Sequence, residues 1–523
     1  MIMIKNIKWL LLVSLTFAAC SSDDDGSSVE EQPITPGSAN FSKYIALGDS
    51  FAAGYSDNAL FRTGQENSYP NILAQQFALA GGGAFNVPYM NDDIGGLLFG
   101  GNANPAFGKR IYLQGFLNAT TPNIVPVPGN STTEASTHLA GPFNNMGIPG
   151  AKSFHLIAQG YGMLNPYFGR FASSAGASVI GDAVVQDATF FSLWIGGNDV
   201  LTYASSGGTG TDQTGNLDPS TYATNDITDP MVFNNVYNGL VDALTANGAK
   251  GVVANLPYIN TLPYFTTVPY NPVPPLPAAS AAQVNQICGA INQINAAMGE
   301  PARFAILTGD DGNPATVEAN NPLLILDESL TNISAQITGV LTPVLGAQTA
   351  AFLGNLYGRA RHAKNLKSTE AGYPFTDYIL LPTRAIIGTT QAGIPAPFNT
   401  VGVTFPLQDG NVLTNDEAGK IRVATDAYNV TIQDAAEAKG LAFVDTKVIM
   451  NQLLNGGIRF GNHHVTAAYI TGGAFSLDGI HPSARGYSLI ANKFLEAIAQ
   501  KYGSSIPAVN MGSYPIQYPA MLN

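Results

Sequence analysis

The sequence predicts an α/β fold built on a mostly parallel sheet covered by helices on both faces. Short apolar runs closed by Gly turns read as buried strands, and they alternate with stretches whose apolar residues recur at helical spacing. Tyr44-Ile45-Ala46-Leu47 is the first such run, closed by Gly48-Asp49-Ser50. The run Phe190 to Ile195 has the same form and ends in Gly196-Gly197-Asn198-Asp199. Between Val232 and Ala246, residues Val236, Leu240 and Leu244 recur with Phe233, Tyr237 and Val241 beside them, an amphipathic helix with Gly248 as its stop. Gly251 to Asn255 is another short strand. Thr414 and Glu417 form a capping box that opens a helix through Ala438, ended by Gly440 and followed by the strand Leu441 to Val444. Ser483 to Tyr502 closes the pattern as a helix with Tyr487, Ile490, Phe494 and Ile498 on one face. Ligands of such sheets sit beyond the carboxyl ends of the strands. Ser50 and Asn198 each lie just past one.

Composition narrows the class. Of 523 residues, 45% are hydrophobic, so a sizeable core is available, and only 11% are charged, against about 25% in ordinary soluble proteins. A net charge of -13 excludes nucleic acid as a partner, because like charges repel. The N-terminus reads as a targeting segment. Lys5 and Lys8 precede an apolar run, Trp9 to Ala19, that is too short to span a bilayer as a helix. Phe17-Ala18-Ala19-Cys20 resembles a bacterial lipobox, which implies lipidation of Cys20. The following Ser21-Ser22-Asp23-Asp24-Asp25 resembles the surface-export signal of Bacteroidota lipoproteins. An ordinary signal peptide with a fortuitous Cys is the alternative. The expected organisation is a signal peptide over 1–19, a flexible tether over 20–40, a catalytic domain over 41–503 and a C-terminal tail over 504–523. The expected location is the outer membrane, facing outward, with the membrane reached through the anchor on Cys20.

Two segments break the rhythm. Residues 58–140 are rich in Gly, Asn and Pro with little periodicity, and 256–410 opens on a run of prolines interleaved with Tyr258, Tyr264, Phe265 and Tyr270. Both are expected as long insertions that either shape a substrate cleft or pack over the core. Within the second, a helix is expected near Leu330 to Leu341. Cys288 sits among Val284, Ile287, Ile291, Ile294 and Met298 at helical spacing, which places it on a core face.

Nucleophilic serine chemistry needs an exposed hydroxyl, a His to take its proton, an acid to orient that His, and donors aimed at the developing oxyanion. Gly48-Asp49-Ser50-Phe51, Asn145-Met146-Gly147-Ile148-Pro149-Gly150, Gly196-Gly197-Asn198-Asp199 and Asp478-Gly479-Ile480-His481-Pro482 occur in that order. Together they resemble blocks I, II, III and V of the SGNH/GDSL hydrolases. Phe51 stands where the motif has Leu, and Lys152 replaces a small hydroxyl residue often found after block II. The resemblance spans residues from about 43 to 500, although the motifs themselves cover about thirty. It implies a flavodoxin-like three-layer α/β/α sandwich with a parallel sheet. It further implies Ser50 as nucleophile, His481 as base and Asp478 as its orienting acid. The oxyanion hole would be formed by the N–H groups of Ser50 and Gly150 and the Asn198 amide. Such chemistry requires no cofactor and no metal.

The remaining candidates have plainer expectations. His463-His464 is expected in a loop rather than on a metal, since adjacent side chains diverge. His138, His155 and His362 are isolated, and Asp310-Asp311-Gly312-Asn313 lacks the alternating ligands of a calcium loop. The expected substrate is an ester. A lipase or lysophospholipase would use Tyr264, Phe265 and Tyr270 as an apolar acyl cleft, whereas a carbohydrate esterase would remove acetyl groups from glycans. A non-catalytic, glycan-binding surface lipoprotein on the same fold stays open.

Overall fold

The computed structural model describes residues 33–118, 121–313, 315–366 and 375–522. The signal peptide, Cys20 and most of the tether lie outside the described residues. Five short strands form the central sheet: β1 (Tyr44–Gly48), β2 (Asn145–Gly147), β3 (Phe190–Trp194), β4 (Lys250–Ala254) and β5 (Ala442–Val444). All pair in parallel, in the spatial order β5-β4-β3-β1-β2. Read from the other edge this is 2-1-3-4-5, the flavodoxin-like order, whose switch point lies between β1 and β3. Every residue of β1 and β3 is buried, which is why these strands read as unbroken apolar runs rather than alternations.

Ten helices matter to the site or its surroundings. They are α1 (Ser50–Ala53), α2 (Tyr69–Ala78), α3 (Asn198–Ser205), α4 (Pro230–Thr245), α5 (Ala278–Ala297), α6 (Ser334–Leu345), α7 (Ala347–Tyr357), α8 (Asn415–Lys439), α9 (Thr446–Leu454) and α10 (Ala484–Tyr502). Helices α2 and α10 pack together, as do α4 and α8. Alternate residues of β3 separate the two layers. Phe190 and Trp194 carry their rings to Tyr502 and Phe494 of α10, so Phe191 and Leu193 face the other way. The capping box at Thr414 and Glu417 opens α8, and Gly440 closes it in the left-handed conformation.

Helix α2 corrects the expectation that 58–140 is one irregular insertion. Tyr69, Ile72, Leu73 and Phe77 are buried on one face of it, and Ser68 caps it, so this stretch is a layer of the sandwich. The second insertion is likewise more ordered than its sequence suggests. Its helices α5, α6 and α7 bury Cys288, Ile291, Ile337, Leu341 and Leu353 in a core of their own. The expected helix near Leu330 to Leu341 is α6, which starts at Ser334. Arg361 fastens this subdomain from within: its guanidinium meets Asp327 at 2.5 Å and Asp377 at 2.5 and 2.8 Å. Asp377 also accepts from the Asn415 N–H at the start of α8.

Neither end of the described chain is loose. Ser38 donates its N–H to the Tyr502 carbonyl, and Thr35 exchanges hydrogen bonds with Ser505. Residues expected as a tail cross back over the sandwich. The Asn492 amide donates to the Val509 carbonyl, Gln76 donates to Pro507, and the buried Arg110 donates through Nη2 to the carbonyls of Pro519 and Ala520. Pairing of their backbone carbonyls with donors of the sandwich fixes segments whose sequence reads as tether and tail.

Glycine at 147 is a steric requirement, since a Cβ there would lie 2.2 Å from the Ala53 nitrogen. Gly147→Ala is expected to push α1 away from the sheet at a cost of about 1–3 kcal/mol, read as a lowered midpoint in urea unfolding. An unchanged midpoint would show that α1 does not need this close approach.

Candidate active site

Parallel pairing aligns Gly48 with Gly147 on one side and with Trp194 on the other. Three chain segments therefore leave the sheet at one level, and Ser50, Gly150 and Asn198 follow within two to four residues. Asp49 caps α1 by accepting the Phe51 N–H at 2.9 Å, so Ser50 is the first residue of the helix and its N–H has no intrahelical acceptor. Its hydroxyl lies 2.8 Å from His481 Nε2. His481 Nδ1 lies 2.9 Å from Asp478 Oδ2. With a proton on Nδ1, donated to the carboxylate, Nε2 is left to accept from Ser50.

The Asp478 turn is held tightly. Oδ1 accepts from the N–H groups of Ile480 and His481 at 2.9 and 2.8 Å, and Oδ2 accepts also from Asn58 N–H at 3.0 Å. Burial opposes its charge, but the His481 charge and these donors outweigh that penalty and hold the carboxyl below its ordinary value. The imidazole is flanked by two rings of the segment after Ser50, Phe51 at 5.3 Å and Tyr55 at 4.6 Å. With side-chain exposures of 13% for His481 and 9% for Asp478, the pair is sheltered yet reachable.

A seam of hydrogen bonds joins the segment after Ser50 to the turn that carries Asp478 and His481. Ser56 Oγ donates to the Pro482 carbonyl, Asp57 N–H to Ser476 Oγ, and Leu477 N–H to Asp57 Oδ1 at 2.9 Å. The Tyr487 hydroxyl donates to the Tyr55 carbonyl. Asp57 and Asn58 both have positive φ, 49° and 66°, a conformation these residue types tolerate best among non-glycines. None of the four motifs includes Asp57 or Asn58. An Asp-Asn pair signals a turn in any sequence, but nothing local says what the turn faces.

The other predicted donors leave the neighbouring strands β2 and β3 at the same level of the sheet as the serine. Gly150 has φ of +79°, open space where a Cβ would be, and an N–H that no hydrogen bond engages among the described residues. Asn198 opens α3 and donates one amide hydrogen to the Ala151 carbonyl at 2.9 Å, leaving the other for a ligand. Asp199 accepts from Ser153 N–H and Oγ at 2.8 and 2.6 Å, which fastens the loop after Gly150 to α3. Lys152 is buried, and its Nζ donates to the Asp226 carbonyl.

The outlying candidates are elsewhere. His463 and His464 are in a strand of a small hairpin, not a loop, and His464 Nε2 pairs with the Gly456 carbonyl at 2.7 Å. His155 and His362 each accept a backbone N–H on Nδ1, and burial pushes both down to about 4. Cys288 lies on a core face, its thiol pushed up to about 12 by burial. Tyr264 touches the His481 turn, donating its N–H to the Gly479 carbonyl. Tyr270, expected with it in an acyl cleft, packs instead on a small core of the second insertion. Glu318 joins Asp310 and Asp311, and Glu328 joins Asp409 and Glu417, in two groups of close carboxylates that sequence order does not reveal.

No known family's sequence profile matches this chain, and no curated protein matches it. Among solved structures, a mutant of an acetyl-xylooligosaccharide esterase from Geobacillus stearmophilus is similar to it at 11% identity, covering 88% of this chain and 95% of that one, with a TM-score of 0.30. A likeness at that level says nothing of what this chain acts on.

Asp57 titrates against the grain of the site. Burial pushes its carboxyl up to about 7, the Leu477 N–H opposes this, the Asp478 charge adds to it, and Arg110 opposes it. The folded protein thus keeps a proton that the unfolded chain releases near ~3.9, so this group makes stability fall as pH rises between those values. Asp57→Asn removes the titration. The variant should lose less stability than the wild type between about pH 5 and about pH 8 in urea unfolding, and equal losses would mean that Asp57 is already ionised at the lower pH.

Proposed function

We propose that this chain is a serine ester hydrolase of the SGNH/GDSL type, working by two-step acyl transfer. What carries the proposal is the unbroken line from the Ser50 hydroxyl through the His481 ring to the Asp478 carboxylate, with contacts of 2.8 and 2.9 Å. A binding protein has no use for such a line; a nucleophile needs all of it.

In the first step Ser50 Oγ attacks the ester carbonyl carbon while His481 Nε2 takes the hydroxyl proton. Asp478 fixes the tautomer and stabilises the imidazolium that forms. The carbonyl oxygen, now an oxyanion, is met by the N–H groups of Ser50 and Gly150 and by the free amide hydrogen of Asn198. The ester C–O bond breaks as His481 hands its proton to the leaving alcohol. Water then attacks the acyl-enzyme with His481 again as base, releasing the acid and restoring Ser50. Residues of the chain supply every group this cycle uses. We further propose that Cys20 carries a lipid, so that the tether displays the enzyme at an outer-membrane surface. Incorporation of labelled fatty acid by the wild type but not by Cys20→Ala tests that part.

Ser50→Ala should abolish labelling by a fluorophosphonate probe and hydrolysis of p-nitrophenyl esters. Hydrolysis at the wild-type rate by that variant would remove Ser50 from the mechanism. Asn198→Ala should lower kcat by roughly 10²- to 10³-fold, as for other single oxyanion donors, with KM little changed. A change confined to KM would instead make Asn198 a ground-state contact.

A further inference from the structure

Where the second insertion meets the sandwich, three carboxylates gather with no positive charge to neutralise them. Glu328 lies just past the strand Leu324–Leu326, Asp409 opens the short 3-10 helix Asp409–Asn411, and Glu417 lies in the first turn of α8. Each brings a carboxylate oxygen within 4.8 Å of the other two. The group runs from open to closed: Glu328 is exposed, Asp409 is half-buried, and Glu417 is only 5% exposed. Among the described residues, none of the three is ion-paired to a Lys, Arg or His. The arginines of this region are committed elsewhere. Arg361 serves Asp327 and Asp377, and Arg359 donates to the Glu328 backbone carbonyl.

An independent feature points to a ligand here. Tyr203 of α3 is 1% exposed, and its hydroxyl makes no hydrogen bond among the described residues. Burial raises its pKa, and the charges that add to this are those of Glu417, Glu328, Asp212 and Asp409, in that order. The hydroxyl is therefore turned toward the cluster. Buried tyrosine hydroxyls ordinarily have a partner, and a water held by a cation among the carboxylates would supply one. Thr414 satisfies Glu417 Oε2 through its N–H and its hydroxyl. Oε1 faces Gly208, at the end of α3, where any Cβ would collide with it. Like charges at this spacing repel unless a proton or a cation stands between them.

We infer that Glu328, Asp409 and Glu417 form a binding site for a divalent cation, Ca²⁺, which fastens the second insertion to α8 and α3. The ligands are oxygens, with no His or Cys among them, and such a set selects a hard cation. They come from a strand end, a 3-10 helix and an α-helix, an irregular arrangement that suits the flexible coordination of Ca²⁺ better than the strict octahedron of Mg²⁺. Waters complete the shell, and the exposed Glu328 side gives the ion its way in. With the ion bound, the repulsion that parts the insertion from the sandwich becomes a clamp. None of the ligands belongs to the candidate active site, so the inference does not depend on the hydrolase proposal.

Calorimetric titration with CaCl₂ and thermal unfolding, both on the full chain stripped of metal by EDTA, test the site. Ca²⁺ should bind with a dissociation constant of about 10⁻⁵–10⁻³ M. At about 5 mM it should raise the unfolding midpoint by at least about 3 °C over NaCl of equal ionic strength. Asp409→Asn should lose both responses yet unfold, without metal, no earlier than the wild type, because it removes repulsion. Should that variant fail to fold, Glu328→Gln on the exposed side carries the same comparison. Asp310→Asn is the control, since Asp310, Asp311 and Glu318 are the other close carboxylates, and it should keep both responses. A wild type that neither binds Ca²⁺ nor gains stability from it overturns the inference. So does a response that survives in Asp409→Asn or Glu328→Gln, or that Asp310→Asn abolishes.

Discussion

The candidate site exists because two strips of chain more than four hundred residues apart are stitched edge to edge. The contact between Ser50 and His481 bridges a separation of 431 residues, and one hydrogen bond could not hold it. The seam from Ser56 to Pro482, Asp57 to Ser476 and Leu477, and Asn58 to Asp478 turns it into a rigid junction. Each bond is modest alone, about 1 kcal/mol net. Together they fix the turn, and the turn fixes the ring. The aromatic side chains of Phe51 and Tyr55 then leave the imidazole little freedom to rotate.

The parallel sheet supplies the other half of the arrangement. Its strand order puts the switch point between β1 and β3, where the helices on the two sides diverge and leave a crevice. Ser50 and Asn198 open the helices that follow those two strands, which places both residues at that switch point. Gly150 arrives from the edge strand β2. Its loop is held by the Asn198 amide and by Asp199, so the three segments are braced against one another rather than merely adjacent.

Much of this was legible in the sequence. Tyr44–Gly48, Phe190–Trp194 and Gly251 to Ala254 are buried on both faces and almost wholly apolar, as a central parallel strand must be. Thr414, Glu417 and Gly440 mark both ends of α8. Strand β2 was harder to see because it is three residues long and begins with Asn145, whose amide donates to the Ala52 carbonyl. Helix α2 was masked by the Gly-rich and Asn-rich chain around it, although the spacing of Tyr69, Ile72, Leu73 and Phe77 is helical. The seam was out of reach for a different reason. Asp57 and Ser476 are ordinary turn residues until the fold places them face to face.

The distance along the chain between hydroxyl and imidazole also bears on biosynthesis. A polypeptide emerging from the ribosome presents Ser50 more than four hundred residues before His481. Until the segment around His481 is made and docked, the hydroxyl and the imidazole cannot meet. The arrangement is therefore a property of the finished fold, and no shorter nascent chain can hold it.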